Sequence, residues 1–156
     1  MAFVGCPGYQ WAGVCAGIKN WKKKDLGLLV SDTPAAVAAV FTSNKVKAAP
    51  VLVDMERAAS GQCRAIVANS GNANCCTGDQ GLRDARAMTK AVADALGIED
   101  GLVMVASTGV IGAPMPAEKI VSAVPGLVKA LRPDGMADFS ESILTTDRFP
   151  KNAERQ

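Results

Sequence analysis

Two polar segments that contain glycine each follow an apolar stretch, and they are the strongest candidates for chemistry in this sequence. The first covers residues 69–74 and the second covers residues 106–112. In the second segment a hydroxyl and a glycine stand side by side, at Thr108 and Gly109, at the predicted end of a strand. An oxyanion hole for acyl transfer needs such fixed donors, because negative charge develops on the carbonyl oxygen only as the tetrahedral state forms. A tight turn before a helix explains the same residues, so both interpretations stay open.

The first segment, residues 69–74, has three asparagines in six residues. Asparagine tolerates the left-handed backbone region and hydrogen-bonds its own turn, which predicts a rigid loop held by side-chain amides. A helix N-terminus beside such a loop also suits an anion, so a phosphate- or nucleotide-binding module over residues 69–78 is a second hypothesis. Neither a G-x-G-x-x-G nor a Walker pattern is present, which favours the structural interpretation.

The composition excludes several classes of protein. The 156-residue chain has no histidine, so it cannot by itself complete a Ser-His-Asp triad, a Cys-His pair or a His-ligated metal site. A net charge of +2 and an aromatic content of 4% give no support for a nucleic-acid or membrane surface. The five cysteines show no C-x-x-C spacing, and two are adjacent, at Cys75 and Cys76. They indicate buried or half-buried thiols in a reducing cytoplasm rather than a disulfide framework or a zinc site.

Alternating apolar stretches and turn residues predict one α+β domain over residues 1–156. Strands are predicted at residues 11–18, 26–30, 35–42, 63–69 and 102–106. The lysine-rich stretch at residues 19–25 is predicted to be a solvated hairpin turn. The segments at residues 69–74 and 107–116 are predicted to be loops.

Helices are predicted at residues 50–60, 77–96, 118–124 and 138–144. The second is the clearest, because apolar residues recur in it at intervals of three and four. Thr77 and Gln80 have the spacing of a capping box, and Gly97 is its predicted end. Pro125 is predicted to break or restart the third helix.

Several ordered blocks carry a resemblance to a known family. They read AGIK at 16–19, KAAP at 47–50, NSGNAN at 69–74, ASTGVIG at 106–112, TTD at 145–147 and FPK at 149–151. Over nearly the whole chain these blocks resemble the N-terminal part of the ornithine acetyltransferase family, the bifunctional glutamate N-acetyltransferase/amino-acid acetyltransferases of arginine biosynthesis. The resemblance implies an α/β sandwich of two β-sheets between helical layers, of which this chain forms roughly the N-terminal half.

The resemblance also implies an activity. Members of that family cleave themselves before a threonine, and the resulting α and β chains fold together, which implies an α2β2 assembly here. The N-terminal threonine of the β chain is the nucleophile, which takes acetyl from N-acetylornithine and passes it to glutamate. Some members also use acetyl-CoA, and no cofactor is implied. A threonine at a chain start can use its own amino group as base, which agrees with the absence of histidine.

The matching positions assign roles to residues of this chain. Thr108, through its side chain, and Gly109, through its backbone, match the oxyanion-hole pair. Thr145 or Thr146 matches a substrate-contacting threonine, and Thr145 is preferred. The Ala-Thr-Met-Leu cleavage block is missing from the sequence, so this chain by itself is expected to be inactive. Two alternatives remain, a related N-terminal-nucleophile amidohydrolase or aminopeptidase and a non-catalytic scaffold subunit.

Overall fold

A four-stranded mixed sheet forms the centre of the structure, a computed structural model that describes residues 6–19 and 22–153. Its strands are β1 (Tyr9–Val14), β2 (Leu26–Ala36), β3 (Gln62–Asn72) and β4 (Val103–Val110), and they lie side by side in that order. The pairs β1–β2 and β2–β3 are antiparallel, whereas β3 and β4 are parallel. The parallel pair therefore brings the C-terminal ends of β3 and β4 to the same edge of the sheet.

Helices cover both faces of this sheet. The helices α1 (Ala49–Ala58), α2 (Gly78–Leu96) and α3 (Ala117–Lys129) share one apolar core with the strands, and a short 3₁₀ turn at Asp100–Leu102 precedes β4. The helix α4 (Met136–Ser142) packs on the opposite face, against β1 and β2. The predicted mixed α/β class is confirmed. In the part of the chain that the structure describes, no helix is long and apolar enough to cross a bilayer.

Side-chain alternation in β2 separates the two faces. Leu26 and Leu28 are fully buried in the core that α2 and α3 close. Gly27 lies between them and faces α4, where an added Cβ would lie 2.9 Å from Cδ2 of Phe139. Successive strand residues point to opposite faces, so small residues are needed on the face that α4 approaches closely.

The predicted strand at residues 35–42 is wrong. Only Ala35 and Ala36 are in a strand, where they form the end of β2 and pair with Cys63 and Gln62. The pairing shifts register between Val30 and Ala35, so β2 continues beyond its predicted end. Because Gln62 is the first residue of β3, the residues after Ala36 have no partner strand there, and residues 37–48 form neither strand nor helix.

The first residues of the two polar segments also differ in secondary structure from the prediction. Residues 69–72 are the end of β3 and residues 107–110 are the end of β4, whereas both were expected in loops. The two ends pair with each other in parallel, from Asn69 opposite Ser107 to Asn72 opposite Val110. Mutual pairing of their backbones keeps polar residues in a strand that local sequence patterns place in a loop.

The helices agree with prediction in their positions but not in every end. Gly97 closes α2 in the left-handed conformation, with φ 66°, as predicted. The predicted capping box is wrong, because the Thr77 hydroxyl donates to Oδ1 of Asn74 and not to the first turn of α2. Helix α3 also runs through Pro125 without a break. Val124 and Leu127 are buried on either side of the proline, and their burial offsets the lost backbone hydrogen bond.

The five cysteines are free thiols. Cys63 is buried and Cys75 is half-buried, as predicted, but Cys6, Cys15 and Cys76 are exposed. The thiols of this chain are therefore more accessible than the sequence indicated.

The close approach of α4 makes glycine necessary at Gly13. A Cβ there would lie 2.5 Å from the carbonyl carbon of Asp138. We expect Gly13→Ala to lower the free energy of unfolding by about 1–3 kcal/mol, because α4 must move away from the sheet. Urea denaturation measures this change.

Gly126 in α3 provides the matched control, because an added Cβ there meets no atom within 4 Å. Gly126→Ala is expected to raise the free energy of unfolding by about 0.5–1 kcal/mol, since alanine favours a helix more than glycine does. A Gly13→Ala protein as stable as the unmodified chain would contradict the tight packing of α4.

Candidate active site

A surface cavity of about 600 Å³ opens at the C-terminal ends of β3 and β4. Its lining comes from four parts of the chain, namely Ile18, Lys19, Gly71, Thr108, Gly109, Val110, Thr145 and Thr146. All four residues predicted for the site are among them. The structure therefore brings together two segments, around Thr108 and Thr145, that are far apart in the sequence. The roles assigned to these residues stay predictions.

The pairing of β3 with β4 explains how Thr108 meets the second threonine segment. Thr108 lies opposite Ser70 in the parallel ladder, so both side chains point to the face that α4 covers. Ser70 is buried, and its hydroxyl donates to the carbonyl oxygen of Ser142, the last residue of α4. The chain that leaves α4 therefore passes this strand end and carries Thr145 and Thr146 to the cavity.

A pair of glycines forms the floor between these threonines. Gly71 and Gly109 lie opposite each other and both have positive φ, 104° and 137°. A Cβ at Gly109 would lie 2.5 Å from the backbone nitrogen of Asn72. A Cβ at Gly71 would lie 3.1 Å from Cγ2 of Ile18. Only glycine fits this conformation and spacing, because the neighbouring segments occupy the space that a side chain would need.

The buried carboxylate of Asp25 organises the loop that forms one wall of the cavity. Its side chain is 0% exposed and accepts hydrogen bonds from the backbone N–H groups of Ala16, Ile18 and Lys19, at 2.6, 2.7 and 3.0 Å. Three donors compensate the burial of a negative charge. The backbone N–H of Ser70 donates to the carbonyl oxygen of Asp25 at 2.9 Å, which ties this loop to β3.

Lys19 contradicts the prediction of a solvated lysine turn. It is only partly exposed, and its ammonium donates to the carbonyl oxygens of Leu144, at 2.5 Å, and Lys24, at 3.4 Å. Burial lowers the pKa of the Lys19 ammonium, and the nearby Asp25 carboxylate opposes this effect. Among the described residues that line the cavity, Lys19 is the one with a charged side chain.

The other residues of the predicted lysine-rich turn differ in how exposed they are. Lys22 and Lys23 are exposed, as expected. Asn20 and Trp21 lie outside the described residues. The Asp25 carboxylate is fully buried, which the polar pattern did not indicate.

Asparagine side chains hydrogen-bond the backbone around the end of β3, as predicted for a segment held by side-chain amides. The Asn69 amide donates to the carbonyl oxygen of Asn72 at 2.9 Å, and the Asn72 amide donates to that of Pro114 at 3.0 Å. Asn74 has a left-handed backbone, with φ 46°, and its amide donates to the carbonyl oxygen of Gly81 at 2.9 Å. These bonds fix the segment between β3 and α2. The phosphate-binding hypothesis for residues 69–78 stays a prediction.

The donors at the cavity suit charge that develops on a carbonyl oxygen. Thr108 and Gly109 are both exposed and line the cavity, where a side-chain hydroxyl and a backbone N–H stand on adjacent residues. Within residues 6–19 and 22–153, no group of three or more cysteine, aspartate or glutamate side chains is placed to hold a metal ion.

Comparison with known proteins identifies the family of this chain. The sequence profile of the ArgJ family matches residues 10–156. The chain belongs to the ArgJ family. The arginine biosynthesis bifunctional protein ArgJ of Geobacter sulfurreducens is 54% identical over 144 residues, which cover 92% of this chain and 37% of that protein. The protein of the same name from Symbiobacterium thermophilum is 51% identical over 148 residues, covering 94% and 37%.

Solved structures of ArgJ proteins have the same fold. The crystal structure of the arginine biosynthesis bifunctional protein ArgJ from Bacillus halodurans has a TM-score of 0.85 and 42% identity, covering 92% of this chain and 75% of the other. Ornithine acetyltransferase from Mycobacterium tuberculosis, in complex with ornithine, has a TM-score of 0.89 and 40% identity, covering 92% and 79%. The predicted family and fold class are confirmed. This ArgJ-family chain spans about 37% of the length of the curated relatives, an N-terminal portion.

Sequence reasoning missed four of the cavity residues. Ile18, Lys19, Gly71 and Val110 line the cavity, but no role in the site was assigned to them. Two signals were available. The first concerns the loop that carries Ile18 and Lys19. Asp25 follows this loop and directly precedes an apolar strand, where a buried carboxylate needs several hydrogen-bond donors. Gly71 lies between polar residues at a strand end, a position that indicates close approach of another segment.

Proposed function

We propose that this chain supplies the oxyanion hole and substrate contacts of a glutamate N-acetyltransferase that takes acetyl from N-acetylornithine. One observation carries the proposal, namely that Thr108 and Gly109 line one cavity with Thr145 and Thr146 in a chain of the ArgJ family. The names of the relatives support a role in arginine biosynthesis. The ornithine bound to the similar mycobacterial enzyme supports an ornithine derivative as a substrate.

In the proposed reaction the nucleophile is an N-terminal threonine on a β chain. Its Oγ gives its proton to the threonine's own amino group, which later passes it to the leaving nitrogen, and attacks the acetyl carbonyl carbon of N-acetylornithine. The carbonyl oxygen becomes negative and accepts hydrogen bonds from the Thr108 hydroxyl and the Gly109 backbone N–H. The bond between the acetyl carbon and the ornithine nitrogen then breaks, and ornithine leaves with a proton on that nitrogen. An acetyl-threonine ester remains.

The second half of the proposed reaction reverses these steps with another amine. The amino group of glutamate attacks the ester carbonyl, the same donors stabilise the oxygen, and the threonine hydroxyl is regenerated as N-acetylglutamate leaves. Acetyl-CoA, where it is a donor, forms the same ester. Thr145, in preference to Thr146, contacts the amino-acid part that ornithine and glutamate share.

The proposal includes an assembly and a location. Two of these chains and two β chains form an α2β2 enzyme in the cytoplasm, with no cofactor. This chain spans about 37% of the relatives' length, and the proposal places the nucleophile in the part of the enzyme that it does not span.

Acetyl transfer by the full-length enzyme that carries this segment tests the proposal. With N-acetylornithine and glutamate we expect ornithine and N-acetylglutamate in equal amounts, and no turnover by the isolated 156-residue chain. Hydrolysis of small amides without transfer to glutamate would contradict the proposal in favour of an amidohydrolase. Absence of both reactions would favour a scaffold subunit.

A further inference from the structure

The chain that leaves α4 is tethered to the sheet immediately before its two threonines. Ser70 holds the carbonyl oxygen of Ser142, and Lys19 holds that of Leu144. Thr145 follows Leu144 directly, so the second tether lies one residue from the cavity. A hydrogen bond from a charged donor is about twice as strong as a neutral one, which makes Lys19 the stronger anchor for this segment.

We infer that Lys19 is a positioning residue, which places Thr145 and Thr146 opposite Thr108 by holding the Leu144 carbonyl. The inference rests on the proposed function, because its consequence is the position of a substrate-contacting threonine. Lys19 acts through the Leu144 carbonyl, and its ammonium takes no part in the bond changes of acetyl transfer.

Lys19 suits this role because its own backbone is fixed. The Asp25 carboxylate accepts hydrogen bonds from the N–H groups of Lys19 and Ile18, and Asp25 is fully buried. On the other side of the loop, the Lys119 ammonium of α3 donates to the carbonyl oxygen of Gly17 at 2.9 Å. Because this loop is fixed relative to the sheet, the Lys19 side chain can hold the segment after α4 in a fixed position relative to the sheet.

The tethered segment depends on such contacts for its shape. Residues 143–153 contain no helix or strand, and Ile143, Thr145 and Thr146 are exposed. Few buried apolar contacts hold such a segment, and side-chain hydrogen bonds then decide its conformation. Loss of the Lys19 tether therefore moves the threonines more than it changes the stability of the fold.

Steady-state kinetics of Lys19→Met in the full-length enzyme test this inference. Methionine has a similar length but cannot donate, so we expect the KM for N-acetylornithine to rise by about 10- to 100-fold. We expect kcat to fall by less than about threefold, since the oxyanion donors and the nucleophile are unchanged. KM does not depend on the concentration of folded enzyme, so partial misfolding cannot produce this result.

Two further variants complete the experiment. Lys19→Arg keeps a charged donor, and we expect its KM to remain within about threefold of the unmodified enzyme. Lys22→Met is the matched control, because it removes an exposed lysine from the same turn, and its KM is expected to be unchanged.

The outcomes separate the inference from the function on which it rests. An unmodified enzyme that transfers no acetyl would overturn the proposed function and this inference with it. Normal transfer by the unmodified enzyme, with an unchanged KM in Lys19→Met, would overturn the inference alone. A fall in kcat at constant KM would also overturn it, because it would indicate only a smaller amount of folded enzyme.

Discussion

Thr108→Ala in the full-length enzyme is expected to lower kcat for acetyl transfer from N-acetylornithine to glutamate by about 10²–10³-fold. Loss of one oxyanion donor typically has an effect of this size, because the donor bonds the oxygen most strongly when it is negatively charged. Thr108 is exposed at the end of β4, and its hydroxyl fills no core position. The melting temperature should therefore remain close to that of the unmodified enzyme. Steady-state kinetics and a thermal melt measure the two quantities.

Two variants control this experiment. Thr108→Ser keeps the hydroxyl and is expected to retain kcat within about tenfold, since the donor is present but free to rotate. Thr33→Ala removes another exposed threonine hydroxyl, on β2, and should leave kcat unchanged. Near-normal kcat in Thr108→Ala would exclude Thr108 as an oxyanion donor. An equal loss in Thr33→Ala would indicate a general effect on folding.

Gly109→Ala is expected to have the second large effect, on both activity and stability. Its φ of 137° is strained for alanine, and the new Cβ would lie 2.5 Å from the backbone nitrogen of Asn72. Strain and overlap together are expected to lower the free energy of unfolding by about 2–4 kcal/mol. We also expect kcat to fall by about 10²-fold, because the ends of β3 and β4 must separate and displace the donors. Urea denaturation and kinetics on the same preparation test both effects.

Gly112 is the matched control for this substitution. It also has positive φ, 79°, but an added Cβ meets no atom within 4 Å. Gly112→Ala therefore retains the backbone strain without the overlap, and we expect a loss of about 1–2 kcal/mol with nearly normal kcat. Equal effects of Gly109→Ala and Gly112→Ala would show that the close approach of β3 and β4 does not matter for activity.

The four residues assigned to the site lie together in the structure, while their roles stay predictions. Thr108, Gly109, Thr145 and Thr146 were assigned from a family resemblance, and they do line one cavity. Composition and periodicity by themselves favoured a tight turn over an oxyanion hole at Thr108. The resemblance was informative because it compared several ordered blocks, whereas any single block has several structural explanations.

The residues that hold the site were predicted less well. Lys19 was assigned to a solvated turn because four lysines lie within six residues there, and charged runs usually face water. Its hydrogen-bond partner Leu144 lies at the opposite end of the chain, so no local pattern indicated the contact. The buried Asp25 was missed for a related reason, since its donors are backbone groups that leave no signature in the sequence.

Local interactions let the sequence by itself determine the mixed α/β class, the positions of the helices and the left-handed end of α2 at Gly97. Apolar periodicity and glycine at a helix end act within a few residues, so they can be seen without the fold. Tertiary structure alone decided that residues 69–72 and 107–110 are strands and that α3 continues through Pro125. In each case the deciding contact comes from a partner distant in the chain, whose pairing or burial outweighs the local preference.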